Sequence, residues 1–149
     1  MPDTFSHLLY HIVFSTKDRL PLITRDIADD LYAYIGGILR HHNAVLIEIG
    51  GMPDHAHLLV RLRAQHSVAE IVKVVKSNSS RWMNNQVQNA KFAWQSGYGA
   101  FSVSESQAWA VVRYLRSQVE HHRRRSFREE FVTILERHSV EIDQRYLPP

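Results

Sequence analysis

The chain contains no cysteine, which excludes disulfide staples, thiolate metal sites and cysteine nucleophiles together. Any metal must then be held by imidazole, carboxylate or amide groups. Long apolar runs are missing as well; none approaches the ~20 residues that cross a bilayer. The N-terminus lacks a basic start followed by an apolar run and a small-residue cleavage site, so a cytoplasmic protein without membrane association is expected. Proline and glycine are sparse, five and six in 149 residues, and no linker, repeat or low-complexity tract marks an internal boundary. The expectation is a single domain over residues 1–149, with 139–149 as an extended tail. A strong overall charge is also absent, the net being +3 with histidine neutral, so charge distribution says more than the total. Arg113, Arg116, Arg123, Arg124, Arg125 and Arg128 face a single acid, Glu120, a local excess suited to phosphate.

What is present is enough apolar material for a core, 44% of residues, arranged with clear periods. His7–Ser15 alternates with β-branched and aromatic residues, the pattern of a strand. Ile27, Leu31, Tyr34, Ile35, Ile38 and Leu39 follow helical spacing. Ala44–Ile49 alternates again, and Gly50-Gly51-Met52-Pro53-Asp54 turns into a third strand, predicting an antiparallel hairpin. Ser67-x-x-Glu70, Ser104-x-x-Gln107 and Ser126-x-x-Glu129 each read as a capping box opening a helix. Gly97–Val103 supplies a short fourth strand. The order β-α-β-β-α-β followed by two C-terminal helices, over residues 105–122 and from Phe127 on, predicts an α+β, ferredoxin-like (RRM-like) four-stranded antiparallel sheet.

Two constellations carry chemistry. In Pro53-Asp54-His55-Ala56-His57-Leu58-Leu59-Val60-Arg61-Leu62-Arg63, alternation places His55, His57, Leu59, Arg61 and Arg63 on one face. Two imidazoles side by side form a two-ligand metal platform, and the arginines suit an anion. A ferredoxin-like sheet leaves that face open, and the helix over 105–122 is expected either to cover it or to pack elsewhere. In the helix over 105–122, Ala108, Val112, Leu115 and Val119 form the buried stripe, while Tyr114 and Gln118 lie off it, one turn apart. A metal held by Gln118 would lie near whatever Tyr114 contacts; alternatively, Tyr114 covers the rim of an apolar patch. His121 and His122 sit in an arginine-rich setting that suggests a phosphate-facing surface rather than a metal site. Lys73, Lys76 and Arg81, off the apolar centre of their helix, are either phosphate contacts or a solvated face.

The chain resembles the single-tyrosine HUH transposases of the smallest bacterial insertion sequences, whose His-hydrophobic-His motif is here His55-Ala56-His57. The likeness also runs through Tyr10-His11-Ile12-Val13-Phe14-Ser15-Thr16-Lys17, Gly97-Tyr98-Gly99-Ala100-Phe101-Ser102-Val103, Tyr114 through His122, and Arg145-Tyr146-Leu147. Asp18 departs from it, where relatives tend to carry an aromatic residue. The resemblance implies that His55, His57 and Gln118 bind Mg²⁺ or Mn²⁺ and that Tyr114 is the nucleophile. It further implies a DNA transposase that cleaves and rejoins single-stranded hairpin DNA through a 5′-phosphotyrosine. The implied assembly is a homodimer in which the tyrosine helix of one subunit completes the histidine site of the other. The DNA-binding candidates are Lys17, Arg19, Arg61, Arg63, Lys73, Lys76, Arg81, Arg123, Arg124 and Arg125.

Other readings keep the same fold. A host-domesticated relative would act on repetitive hairpin DNA. A non-catalytic single-stranded RNA- or DNA-binding module would carry aromatics where the histidines stand and leave Tyr114 and Gln118 idle. A water-activating phosphodiesterase would need the histidines alone. If Tyr114 is not the nucleophile, Tyr98 is the next candidate.

Overall fold

The computed structural model describes residues 4–86, 91–122 and 125–148. The elements are β1 (Leu8–Ser15), α1 (Arg25–His41), β2 (Val45–Met52), β3 (His55–Leu62), α2 (Val68–Gln86), β4 (Gly99–Val103), α3 (Glu105–Arg116), α4 (Gln118–His122) and α5 (Phe127–Arg137). Short 3-10 turns at Lys17–Arg19 and Gln144–Tyr146 complete the order. The strands form one antiparallel sheet ordered β2-β3-β1-β4, the ferredoxin-like arrangement that the element order predicted.

Alternation along β1 and β3 sends Ile12, Phe14, Ala56, Leu58, Val60 and Leu62 to one face, where they pack with Leu31, Ile35 and Leu39 of α1 and Ile71, Val72, Val75 and Met83 of α2. This is the larger apolar core. The α2 cap forms as expected, with the Glu70 backbone N–H donating to Ser67 Oγ at 3.3 Å. The corresponding cap at Ser126 also forms, Glu129 N–H to Oγ at 3.2 Å. Ser104 precedes α3 without accepting a capping bond; its hydroxyl meets that of Ser106 at 3.1 Å instead.

Of the two alternatives for the second face, open or covered, the structure takes the latter. Leu9 and Leu59 lie beneath Val112 and Leu115 of α3, and Val13 and Phe101 lie beneath Phe127, Phe131, Ile134 and Leu135 of α5. Two glycines allow the close approach. A Cβ on Gly50 would stand 2.1 Å from the Leu115 carbonyl oxygen, and one on Gly99 would stand 3.0 Å from the Phe131 ring. Arg116 and Glu48 pin the end of α3 to β2, Nε to Oε2 3.2 Å. Thus, in the single chain, α3 lies on its own sheet.

The helix expected over 105–122 is interrupted. Ser117 leaves helical geometry at φ −104°, ψ 25°, and its hydroxyl donates to the Arg113 carbonyl at 2.9 Å, competing for the helix's own acceptors. The phase of the stripe is lost there, so Val119, expected to be buried, is 49% exposed. Residues 139–148, expected as an extended arm, include the turn at Gln144–Tyr146. Ile142 and Leu147 pack against the α5 cluster.

Candidate active site

β3 opens with His55 and His57, both on the covered face and both 0% exposed. Each ring is held from behind. His55 Nδ1 lies 2.8 Å from Asp54 Oδ1, Asp54 is gripped in turn by Arg19 (Nε to Oδ2, 3.3 Å), and Phe127 stacks on the His55 ring at 4.3 Å between centroids. His57 Nδ1 lies 2.8 Å from His11 Nε2. With Nδ1 engaged at the back, both rings direct Nε2 forward, the orientation a metal-binding histidine requires.

The forward atoms converge. Glu130 Oε1 lies 2.9 Å from His57 Nε2, 3.2 Å from His122 Nε2 and 3.4 Å from His55 Nε2. Gln118 Oε1 lies 3.1 Å from His55 Nε2 and 3.2 Å from His122 Nε2. The other Glu130 oxygen accepts from Gln118 Nε2 at 3.2 Å and from the Tyr114 hydroxyl. Tyr114 meets the His57 ring edge-on, 5.6 Å between centroids. Although the helix breaks at Ser117, Tyr114 and Gln118 therefore still reach one carboxylate.

The electrostatics follow from burial and pairing. Burial alone would push the Glu130 carboxyl upward, but hydrogen bonds from His122, His55 and His57 hold it far below the usual carboxylate range. Asp54 is likewise opposed by burial yet kept low by His55 and Arg19. Burial disfavours the charged form of His55, and Asp54 and Glu130 outweigh it, so its pKa is raised. For His57 burial prevails and the pKa falls. Burial, reinforced by His57, lowers His11 to about 3; His11 stays neutral and can accept the His57 Nδ1–H bond. Burial and then the Glu130 charge raise the Tyr114 phenol above its ordinary value, so it rests protonated.

This donor set fits a divalent cation. His55, His122 and Glu130 offer ligand atoms within 4.8 Å of one another, and His57 Nε2 and Gln118 Oε1 adjoin them. The sequence-derived set of His55, His57, Gln118 and Tyr114 is brought together. His122, read from the sequence as surface, belongs to the cluster: α4 turns its imidazole inward once the helix breaks. Glu130 was missed, although it sits among Phe127, Phe131 and Ile134 on the buried face of α5, and a carboxylate within an apolar stripe signals a buried partner. His11, on the covered face of β1, was missed too.

A sequence model of the family described as "Transposase IS200 like" matches residues 4–118. The chain belongs to this family. It is 28% identical over 117 residues to the ISDra2 transposase TnpA of Deinococcus radiodurans, covering 74% of this chain and 84% of that relative. A crystal structure of a transposase from Deinococcus radiodurans superposes with a TM-score of 0.64 at 27% identity, over 78% of this chain and 94% of that one. A tyrosine transposase associated with REP elements, solved with a REP hairpin, shares the fold with a TM-score of 0.61 at 12% identity, over 82% and 74%. Family membership makes the chain a DNA transposase, and among the described residues no helix is long and apolar enough to cross a membrane.

Within this transposase the described basic candidates are spread over several elements. Arg19 engages Asp54 behind His55. Arg61 and Arg63 are exposed but stand toward the far end of β3, roughly 20 Å along the strand from His55, so they do not flank the histidines. Lys73 and Lys76 line a groove of about 460 Å³ with Ser77, Ser80, Trp94 and Tyr98. Lys76 is built into its wall, donating to the Gln95 carbonyl at 2.9 Å and the Gly97 carbonyl at 2.6 Å, and burial lowers its pKa to about 8. Lys17, Arg81 and Arg125 are exposed. Arg123 and Arg124 lie outside the described residues, as does the His121 side chain.

Proposed function

We propose that this transposase cleaves and rejoins single-stranded DNA at the ends of an insertion sequence through a covalent 5′-phosphotyrosine on Tyr114. The observation that carries the reading is that the Tyr114 hydroxyl is hydrogen-bonded to the same carboxylate on which His55, His57 and His122 converge. A nucleophile thus stands beside a cation-binding donor set. His55, His57 and Gln118 hold Mg²⁺ or Mn²⁺, which when bound supplies a Lewis acid for a phosphate oxygen. Attack forms a bond from the Tyr114 oxygen to phosphorus and breaks the phosphorus–O3′ bond. The phenol proton leaves to solvent while Glu130 Oε2 keeps the Tyr114 oxygen oriented, and the 3′ oxygen takes a proton from solvent. Because the phosphotyrosine conserves the phosphodiester's energy, a 3′-OH can later attack it and rejoin the strands without a nucleotide cofactor.

Hairpin-forming single strands are the proposed substrate. The resemblance and the fold shared with a transposase solved on a REP hairpin support this, and the resemblance also supports a homodimer. The Lys73/Lys76 groove is the proposed strand contact, because its cations are interleaved with Trp94 and Tyr98. The test incubates labelled hairpin DNA with the protein and Mn²⁺ or Mg²⁺ and resolves the products on a denaturing gel. A covalent adduct is expected, and Tyr114→Phe should abolish it while hairpin binding persists. Cleavage surviving that substitution would indicate activated water or Tyr98 instead.

A further inference from the structure

His122 and Glu130 both lie beyond residue 118, where the family match ends. We propose that both are ligands of the bound ion, making this a site of three histidines, one carboxylate and one amide that prefers a transition-series divalent ion to Mg²⁺. The inference rests on the reading of His55, His57 and Gln118 as the metal site.

Three observations carry it. First, the ligand atoms are already assembled: His55, His122 and Glu130 meet within 4.8 Å. Second, His122 is oriented as a ligand. Its Nδ1 lies 3.0 Å from the Arg125 carbonyl oxygen, which can only accept, so Nδ1 is committed as a donor there and Nε2, 3.2 Å from Glu130 Oε1, is the nitrogen left to face the cluster. Third, Glu130 is 4% exposed on the helix face that packs Phe127, Phe131 and Ile134, where an uncompensated carboxylate would be strongly disfavoured. Its side-chain partners are imidazoles, an amide and a phenol. A cation entering among the Nε2 atoms takes the place of protons that now link them to Oε1, while Oε2 keeps Tyr114. Mg²⁺ favours oxygen ligands and retains its waters, whereas imidazole nitrogen favours Fe²⁺, Co²⁺ or Zn²⁺, with Mn²⁺ the weakest of the transition series yet less wedded to its waters than Mg²⁺.

The experiment follows free Mn²⁺ by its paramagnetic resonance signal as the full-length protein is titrated, with Mg²⁺ as competitor, in wild type, Glu130→Gln, His122→Asn and His55→Ala. The wild type should bind Mn²⁺ with Mg²⁺ displacing it only in at least tenfold excess. Glu130→Gln and His122→Asn should each weaken Mn²⁺ at least tenfold, and His122→Asn should narrow the Mn²⁺-over-Mg²⁺ gap. Unchanged or tighter Mn²⁺ binding in both would overturn the inference, tighter binding marking Glu130 as a competitor for the site. If circular dichroism shows Glu130→Gln unfolded, His122→Asn decides alone, because its residue closes a five-residue helix and lies outside the apolar cluster that seats α5. Wild-type Mn²⁺ affinity in His55→Ala would instead defeat the underlying reading of the metal site.

Discussion

The two faces of the sheet use the same strands for opposite ends. Under α1 and α2, β1 and β3 contribute only apolar side chains. Under α3 and α5, the same strands contribute Leu9, Val13 and Leu59 together with His11, His55 and His57, all buried. Both faces exclude water, but only on the second do the strands themselves bury imidazoles. That is tolerable because among the described residues no buried side-chain nitrogen or oxygen lacks a partner. The first face carries stability through area and packing; the second fixes orientations through hydrogen bonds that apolar contacts could not impose.

Adjacent residues of β3 break this comparison most sharply. His57→Ala removes a forward-facing nitrogen and should reduce adduct formation by roughly 10³-fold or more, the several kcal/mol that metal-assisted charge stabilisation supplies; quantified gels of adduct against time measure it. Leu58→Ala, one residue on and facing the other way, should cost about 2–5 kcal/mol of stability, read from urea unfolding, with adduct yield per folded molecule unchanged. A large loss of adduct from folded Leu58→Ala would show that the faces are not separable.

The acid response gives a smaller effect. His11 ordinarily titrates near 6.5 and in the fold near 3, so between those values the unfolded chain binds a proton that the folded chain refuses. Stability therefore falls as pH drops through that window, by at most about 1.4 kcal/mol per pH unit from this group. His11→Asn should lose less stability than wild type between pH 7 and pH 5 in urea titrations; parallel losses would assign the acid sensitivity elsewhere. The smallest expected effect is none. With α3 seated on its own sheet, subunits carrying His55→Ala and His57→Ala, mixed with subunits carrying Tyr114→Phe, should form no adduct. Restored adduct on the histidine-mutant chain would show that α3 crosses to a partner.

The strand and helix order, the caps at Ser67 and Ser126 and the shared face of His55 and His57 were legible because period, capping and alternation are local; Tyr114 and Gln118 were given their roles by the resemblance, not by their spacing. Glu130 was not. A carboxylate in the first turn of a helix, beside Glu129, satisfies the exposed N–H groups there, and that local explanation hides a second use. His122 was hidden by its neighbours, since arginines around a histidine read as surface until Ser117 breaks the helix and turns the ring inward.

By itself the sequence determined the antiparallel β-α-β-β-α-β frame and which face of β3 carries the imidazoles, since both follow from side-chain period along single elements. Only the tertiary structure decided that this face is covered, and that α5 returns to set Glu130 against histidines 73 and 75 positions earlier in the chain. Such pairings depend on how separate elements neutralise one another's buried polar groups, and no local pattern of residues encodes that.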